Sequence, residues 1–130
     1  MATIRKELKL SATPDKVWAA FEDVGAIHTR LAQGFVTDTE LVPAGRDVTF
    51  ANGFQAFEAL ITVDKAARRL AYAVQNSPNL THHSASFEIG PDGSGTKVVW
   101  IADLLPDAMA PMIGGMMEEG VKAMRKTLDG

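Results

Sequence analysis

The sequence predicts an α+β fold in which a curved antiparallel sheet of seven strands grips one long C-terminal helix, with two short helices after the first strand. Three observations carry this expectation. Asp107–Leu128 holds five of the six methionines (Met109, Met112, Met116, Met117 and Met124), largely at helical spacing, so it reads as one long amphipathic helix. From about Phe35 to Leu105 the chain instead falls into short runs of strand-like character, separated by Gly, Pro and Asn turn signals. The connections between those runs are hairpin-length, and such connections join antiparallel neighbours.

Ile4–Leu10 alternates well enough for a first strand, with Ile4, Leu8 and Leu10 on one face. Lys6 interrupts that face, which places the strand at a sheet edge or requires the lysine stem to snorkel. Ser11–Asp15 then signals a helix start: Thr13 as N-cap, Pro14 at the first helical position and Asp15 at the positive end. Val17, Trp18 and Phe21 form its buried stripe, and Gly25 ends it. Ala26–Gln33 reads as a second short helix, closed by Gly34.

Six strands follow: Phe35–Val42, Asp47–Ala51, Phe54–Val63, Leu70–Gln75, Leu80–Ile89 and Thr96–Leu105. Pro43–Gly45, Asp64–Arg69, Asn76–Asn79 and Gly90–Gly95 are the breaks, and Asn52-Gly53 predicts a type I′ hairpin turn. Asp107 is the expected N-cap of the long helix. Pro111 then falls at the end of the first turn, where it removes a backbone hydrogen bond and predicts a kink or a 3₁₀ start near Ala110. Gly120 predicts close packing of this helix on the sheet, while Gly114-Gly115 is compatible with close approach or with open space.

Composition bounds the function. A chain of 130 residues, 46% apolar and 22% charged, fits one globular domain spanning 1–130 with a real hydrophobic core. A net charge of −3 with scattered basic residues argues against nucleic acid, which calls for clustered Lys and Arg. Cysteine is absent, which excludes disulfides, thiolate catalysis and cysteine metal sites and fits a cytoplasmic location. The charged and apolar residues of Met1–Leu10 do not make a secretory signal, and no apolar run reaches transmembrane length.

Three motifs in the expected order resemble the polyketide cyclase/dehydrase, START-like and pollen-allergen-like superfamily (SRPBCC), whose architecture is called the helix-grip fold. Ser11–Asp23 (SATPDKVWAAFED) is similar to the family's opening "s-a-x-p-x-x-V-W-x-x-x-x-D". Asp64–Tyr72 (DKAARRLAY) is similar to its "D-x-x-x-R-x-L-x-Y" hairpin, and Gly95–Trp100 (GTKVVW) to its "G-T-x-v-x-W" last strand. The similarity spans essentially the whole chain. One departure bears on the cavity entrance: many relatives carry tryptophan a few residues beyond Asp23, where this chain has His28. The resemblance implies a hollow between sheet and helix. It leaves the chemistry open, since relatives bind lipids, sterols, plant hormones and polyketides, catalyse cyclisation or dehydration, or act as co-chaperones.

Period-two reading assigns the faces. Val98, Trp100, Ala102 and Leu104 face the helix, as do His83, Ala85, Phe87 and Ile89, and Leu70, Tyr72 and Val74. In Phe54–Val63 the inward set is Phe57, Ala59, Ile61 and Val63, with Glu58 outward unless a bulge reverses it. The expected ligand wall therefore comprises Phe57, Tyr72, His83, Phe87 and Trp100 from the sheet, and Met109, Ile113 and Met116 from the helix. Methionine suits such a wall because its side chain adapts to variable apolar shapes, although the same stripe also makes ordinary core. His83 with Tyr72 is the best acid–base offer and Glu58 a spare. Against it stands the plainer reading of His83 as a satisfied interior histidine.

Adjacent His82 and His83 point to opposite faces and cannot chelate one metal, and no other ligand spacing is present. No cofactor is expected. The favoured reading is a protein that binds a small hydrophobic molecule, acting as a monomer or homodimer. A cyclase- or dehydratase-type enzyme and a co-chaperone-like or toxin-like interaction module are the alternatives.

Overall fold

The computed structural model describes residues 1–129. Strands β1 (Ala2–Leu10), β2 (Val36–Val42), β3 (Gly45–Phe50), β4 (Gln55–Asp64), β5 (Arg69–Gln75), β6 (His82–Asp92) and β7 (Gly95–Leu105) form one seven-stranded sheet. Their spatial order is β1-β7-β6-β5-β4-β3-β2, and every pairing is antiparallel. Helix α1 (Pro14–Glu22) and a π-helical turn (Ile27–Leu31) carry the chain from one edge of the sheet to the other. Helix α2 (Ala110–Asp129) packs across the concave side. Twist inherent to the strands curls such a sheet, and register shifts at Val36/Asp38 and Leu60/Thr62 add local bends.

Each helix follows from its sequence. The Thr13 hydroxyl accepts from the Lys16 amide at 3.4 Å, Pro14 opens α1, and Val17, Trp18, Ala20 and Phe21 bury its inner face. In α2 the chain starts as a 3₁₀ turn (Asp107–Met109) and becomes α-helical at Ala110. That puts Pro111 in the first α-helical turn, where its missing amide hydrogen costs little. Met117, Gly120, Val121 and Met124 are the buried residues of α2, at the spacing of one helical face. A side chain at Gly120 would meet the Trp100 ring at 3.0 Å and that of Phe35 at 3.2 Å, so its lack of one sets the closeness of helix and sheet. At Gly115 a Cβ would meet nothing within 4 Å.

The helix is fastened at its middle and at its C-terminal end. Lys6, the interruption in the first strand, reaches Glu118 of α2 at 3.0 Å. Asp129 accepts from the Ser11 and Ala12 amides at 2.8 and 3.2 Å, and those bonds hold its carboxyl below the usual range. The β1 edge position and the inward residues of β5, β6 and β7 are as the alternation predicts.

Three local expectations are corrected. The second short helix is five residues of π-helix rather than Ala26–Gln33. The sixth strand begins at His82 and runs to Asp92, so the break at Gly90–Gly95 shrinks to Gly93-Ser94, and Leu80 and Thr81 join the loop before the strand.

The third correction matters most. The β3–β4 turn is not type I′: Gly53 adopts φ +88° and Asn52 stays at negative φ. The Gly53 amide bonds the Phe50 carbonyl at 2.9 Å, and the Phe50 amide bonds the Phe54 carbonyl at 2.8 Å. Ala51, Asn52 and Gly53 thus form a three-residue loop closed by a left-handed glycine. A three-residue loop shifts the register by one from that of a two-residue loop, which exchanges the faces of the following strand. Arg46 therefore pairs with Glu58, and Val48 with Ala56. Beyond Leu60 a bulge at Ile61 restores the phase, and Val63 pairs with Leu70. Glu58 is consequently buried, whereas Ile61 is 61% exposed.

Candidate functional site

A cavity of about 320 Å³ lies between the concave sheet and α2. Its volume is at the small end of the usual range for small-molecule sites. All five methionines of the C-terminal segment line it, along with Ile113. Met109, Ile113, Met116 and Met117 recur at helical spacing, so a single face of the 3₁₀ turn and α2 presents them together. Phe54 and Met112 line the cavity and are 47% and 44% exposed, which marks its mouth between the β3–β4 loop and the start of α2.

Of the wall residues expected from the sequence, Tyr72, His83, Phe87, Trp100, Met109, Ile113 and Met116 all line this cavity. Phe57 does not. It stands in β4 next to Glu58 and takes the opposite face, beside Asp47 and Glu40, because the register shift described above turns it outward. Among the lining residues absent from the expected wall, Arg46, Glu58 and Phe50 enter from this end of the sheet. Their signal was present in the chain, since Arg46, Val48 and Phe50 alternate on one face of β3 and a three-residue loop sets Glu58 opposite Arg46. His28 hydrogen-bonds Thr39 at 3.1 Å and is not part of the lining.

The buried polar groups of the cavity, on Arg46, Glu58, Tyr72, Trp100 and His83, form one contiguous patch. Arg46 Nε donates to Glu58 Oε1 at 2.9 Å, and its Nη1 donates to the Val24 carbonyl at 3.2 Å. The guanidinium carbon sits 5.9 Å from the centre of the Tyr72 ring. Trp100 Nε1 donates to the Tyr72 hydroxyl at 3.2 Å, so that hydroxyl has its own proton to give. The Tyr72 and His83 rings are 5.8 Å apart, and Phe87 stacks on Trp100 at 4.6 Å.

The titration behaviour follows from burial. Burial, reinforced by the Glu58 charge, pushes the Tyr72 phenol well above its ordinary range, so it stays protonated. Burial also lifts the Glu58 carboxyl, and Arg46 opposes that lift. A neutral Glu58 would leave a buried guanidinium, which cannot shed its proton, without a counter-charge, so the pair is ionic. Burial holds the His83 imidazole below the usual histidine range. Its Nδ1 accepts from the Val74 amide at 3.2 Å, which places the proton of the neutral ring on Nε2.

Toward a bound molecule this arrangement offers hydrogen-bond donors: the Tyr72 hydroxyl and His83 Nε2–H. The basic nitrogen of His83 is already occupied by backbone, so the ring is set up to orient a polar group rather than to abstract a proton. Among the described residues no group of three or more His, Asp or Glu side chains could hold a metal ion, and no helix is long and apolar enough to cross a membrane.

His83 gives a direct prediction. Its folded pKa is lowered, so its contribution to stability is fully present above the ordinary histidine value of 6.5 and is lost as pH falls through the lowered folded value. Replacing it with glutamine, which can still accept from Val74, is expected to flatten the acid limb of the stability profile. Urea unfolding at a series of pH values below neutrality measures this, and parallel limbs for the two proteins would contradict it.

Comparison with known proteins supplies the context. The family described as "Polyketide cyclase / dehydrase and lipid transport" matches residues 1–129. No curated protein matches the sequence. Among solved structures, protein XoxI from Bacillus cereus superposes with a TM-score of 0.86 at 18% identity, covering 98% of this chain and 96% of that one. A START superfamily protein from Mycobacterium smegmatis gives 0.75 at 13% identity over 98% and 94%. A norcoclaurine synthase from Thalictrum, bound to a transition-state analogue, gives 0.71 at 22% identity over 98% and 93%. At these identities the three establish a shared fold.

Proposed function

The chain belongs to the polyketide cyclase/dehydrase and lipid-transport family, and we propose that within it this protein binds a small, mainly apolar molecule between the curved sheet and α2. The observation that carries this reading is the cavity itself. It is about 320 Å³ and open at Phe54 and Met112, and it is walled by methionines and rings around one polar patch. Pockets for small molecules combine a mostly apolar wall with a few placed polar groups, and flexible methionines let one wall fit several shapes. The donors contributed by Tyr72 and His83 suit orientation of a polar end, which supports binding over turnover.

Native mass spectrometry and thermal unfolding with a panel of lipids, sterols and aromatic polyketides test this. A true ligand present at a hundredfold excess over its Kd stabilises by about 2.7 kcal/mol, which raises the midpoint on the order of 10 °C. The variant Ile113→Trp places a large ring in the cavity and is expected to weaken binding at least about tenfold, or 1.4 kcal/mol. Its thermal midpoint without ligand should stay within a few degrees of the parent. Absence of any bound mass and of any shift across the panel would reject the reading in favour of a protein-interaction role for this scaffold.

A further inference from the structure

The lining of the cavity contains one cation and one anion, Arg46 and Glu58. They are bonded to each other at 2.9 Å, at 4% and 7% exposure. The other polar rings of the patch, Tyr72 and His83, are uncharged and present protons. Everything else around them is uncharged, including the Ser77–Leu80 loop and Gln55 at the rim. The interior therefore has hydrogen-bonding capacity at one pole and no net charge.

Resting on the binding function proposed above, we infer that the occupant is a hydrophobic molecule with an uncharged oxygen head, an alcohol or a ketone, and that the Arg46–Glu58 pair makes the site reject fatty carboxylates and amines. A carboxylate head brought to this pole loses its hydration and meets Glu58 as well as Arg46. An ammonium head meets the reverse. Neither finds an unspent counter-charge, and a buried ion without one is costly. A carbonyl oxygen accepts from the Tyr72 hydroxyl or from His83 Nε2–H. A hydroxyl does the same and can also donate to the carboxylate oxygen of Glu58 that Arg46 Nε does not take. Arg46 and Glu58 are thus specificity-determining residues whose mutual neutralisation is the selective feature.

Volume narrows the class further. About 320 Å³ suits a medium-chain or compact ring compound and is small for a phospholipid.

The test is a matched series with one chain and four heads: nonanol, methyl heptyl ketone, nonanoate and nonylamine. Each is titrated near neutral pH against the intact protein by competition with an environment-sensitive apolar dye. The expected order places the alcohol and ketone on the order of a hundredfold tighter than either ion. The variant Glu58→Gln removes the anion and leaves Arg46 unbalanced, so nonanoate should gain at least about tenfold relative to nonanol. Arg46→Gln provides the opposite arm, in which nonylamine gains on nonanol.

Nonanoate binding the parent protein as tightly as nonanol overturns the inference while leaving a cavity-binding protein. A Glu58→Gln protein that is folded by circular dichroism and keeps the parental order overturns the role of the pair. Failure of all four probes to displace the dye, with no bound mass in the wider panel, removes the binding function itself. Should neither variant fold, the parental series alone decides, because its order requires no substitution.

Discussion

Replacing Glu58 with leucine is expected to destabilise the protein by about 3–5 kcal/mol, a large share of the roughly 5–15 kcal/mol available to a domain of this size. The substitution removes the partner of a guanidinium that is 4% exposed and cannot lose its proton. Its one remaining hydrogen bond is to the Val24 carbonyl at 3.2 Å. Combining Glu58→Leu with Arg46→Met removes both charges. Such replacement of a buried pair by apolar side chains ranges from neutral to stabilising by about 1–4 kcal/mol. Equilibrium unfolding in urea of the parent, the single and the double variant measures this. The decisive result is the recovery of the double variant. A single variant as stable as the parent would mean the pair is not buried as described, and the polar pole of the cavity would be lost with it.

The second large effect is expected at Phe21. This residue is 1% exposed, on the inner face of α1, and its ring lies 4.8 Å from that of Phe87. Phe21→Ala deletes a ring from a packed interior and should cost about 3–5 kcal/mol through lost transfer energy and the void left behind. Phe57→Ala supplies the contrast. Phe57 sits half-exposed on the outer face of β4, beside Asp47 rather than in the cavity, so its removal should cost far less and leave ligand affinity unchanged. If Phe57→Ala abolished binding while keeping the fold, the face assignment of β4 would be wrong.

Those two substitutions also show where the sequence was readable. Phe21 belongs to a helix whose cap, first-turn proline and apolar spacing are all local, and the sequence placed it correctly. The same holds for His83, Phe87 and Trp100, because β6 and β7 alternate without interruption through their paired length. It holds for Tyr72, and for the methionine face of α2, whose helical spacing survives even the 3₁₀ start. Phe57 and Glu58 were misplaced because β4 contains two features that period-two reading cannot carry across. Its leading turn has three residues rather than two, and Ile61 is a bulge. Each changes the phase by one residue, so the strand satisfies Arg46 and Val48 at one end and Leu70 at the other.

The consequence reaches the function. Alternation alone draws a purely apolar wall at this end of the sheet. The actual register draws an ion pair into it, and with it the polar pole on which head-group selectivity turns. The resemblance to the helix-grip fold said that a hollow was to be expected, and it gave no information about which residues of β3 and β4 would face it.

Periodicity, caps and turn residues act over a few neighbouring positions, so the chain alone determined the order of its elements, the antiparallel sheet, the long methionine-bearing helix and most of the residues facing it. The depth of the hollow, the meeting of Arg46 with Glu58 and the exclusion of Phe57 were decided only when distant segments closed on one another. Strand phase across a loop depends on that loop's backbone conformation, and the burial of a charge depends on whether a partner from another strand arrives to balance it.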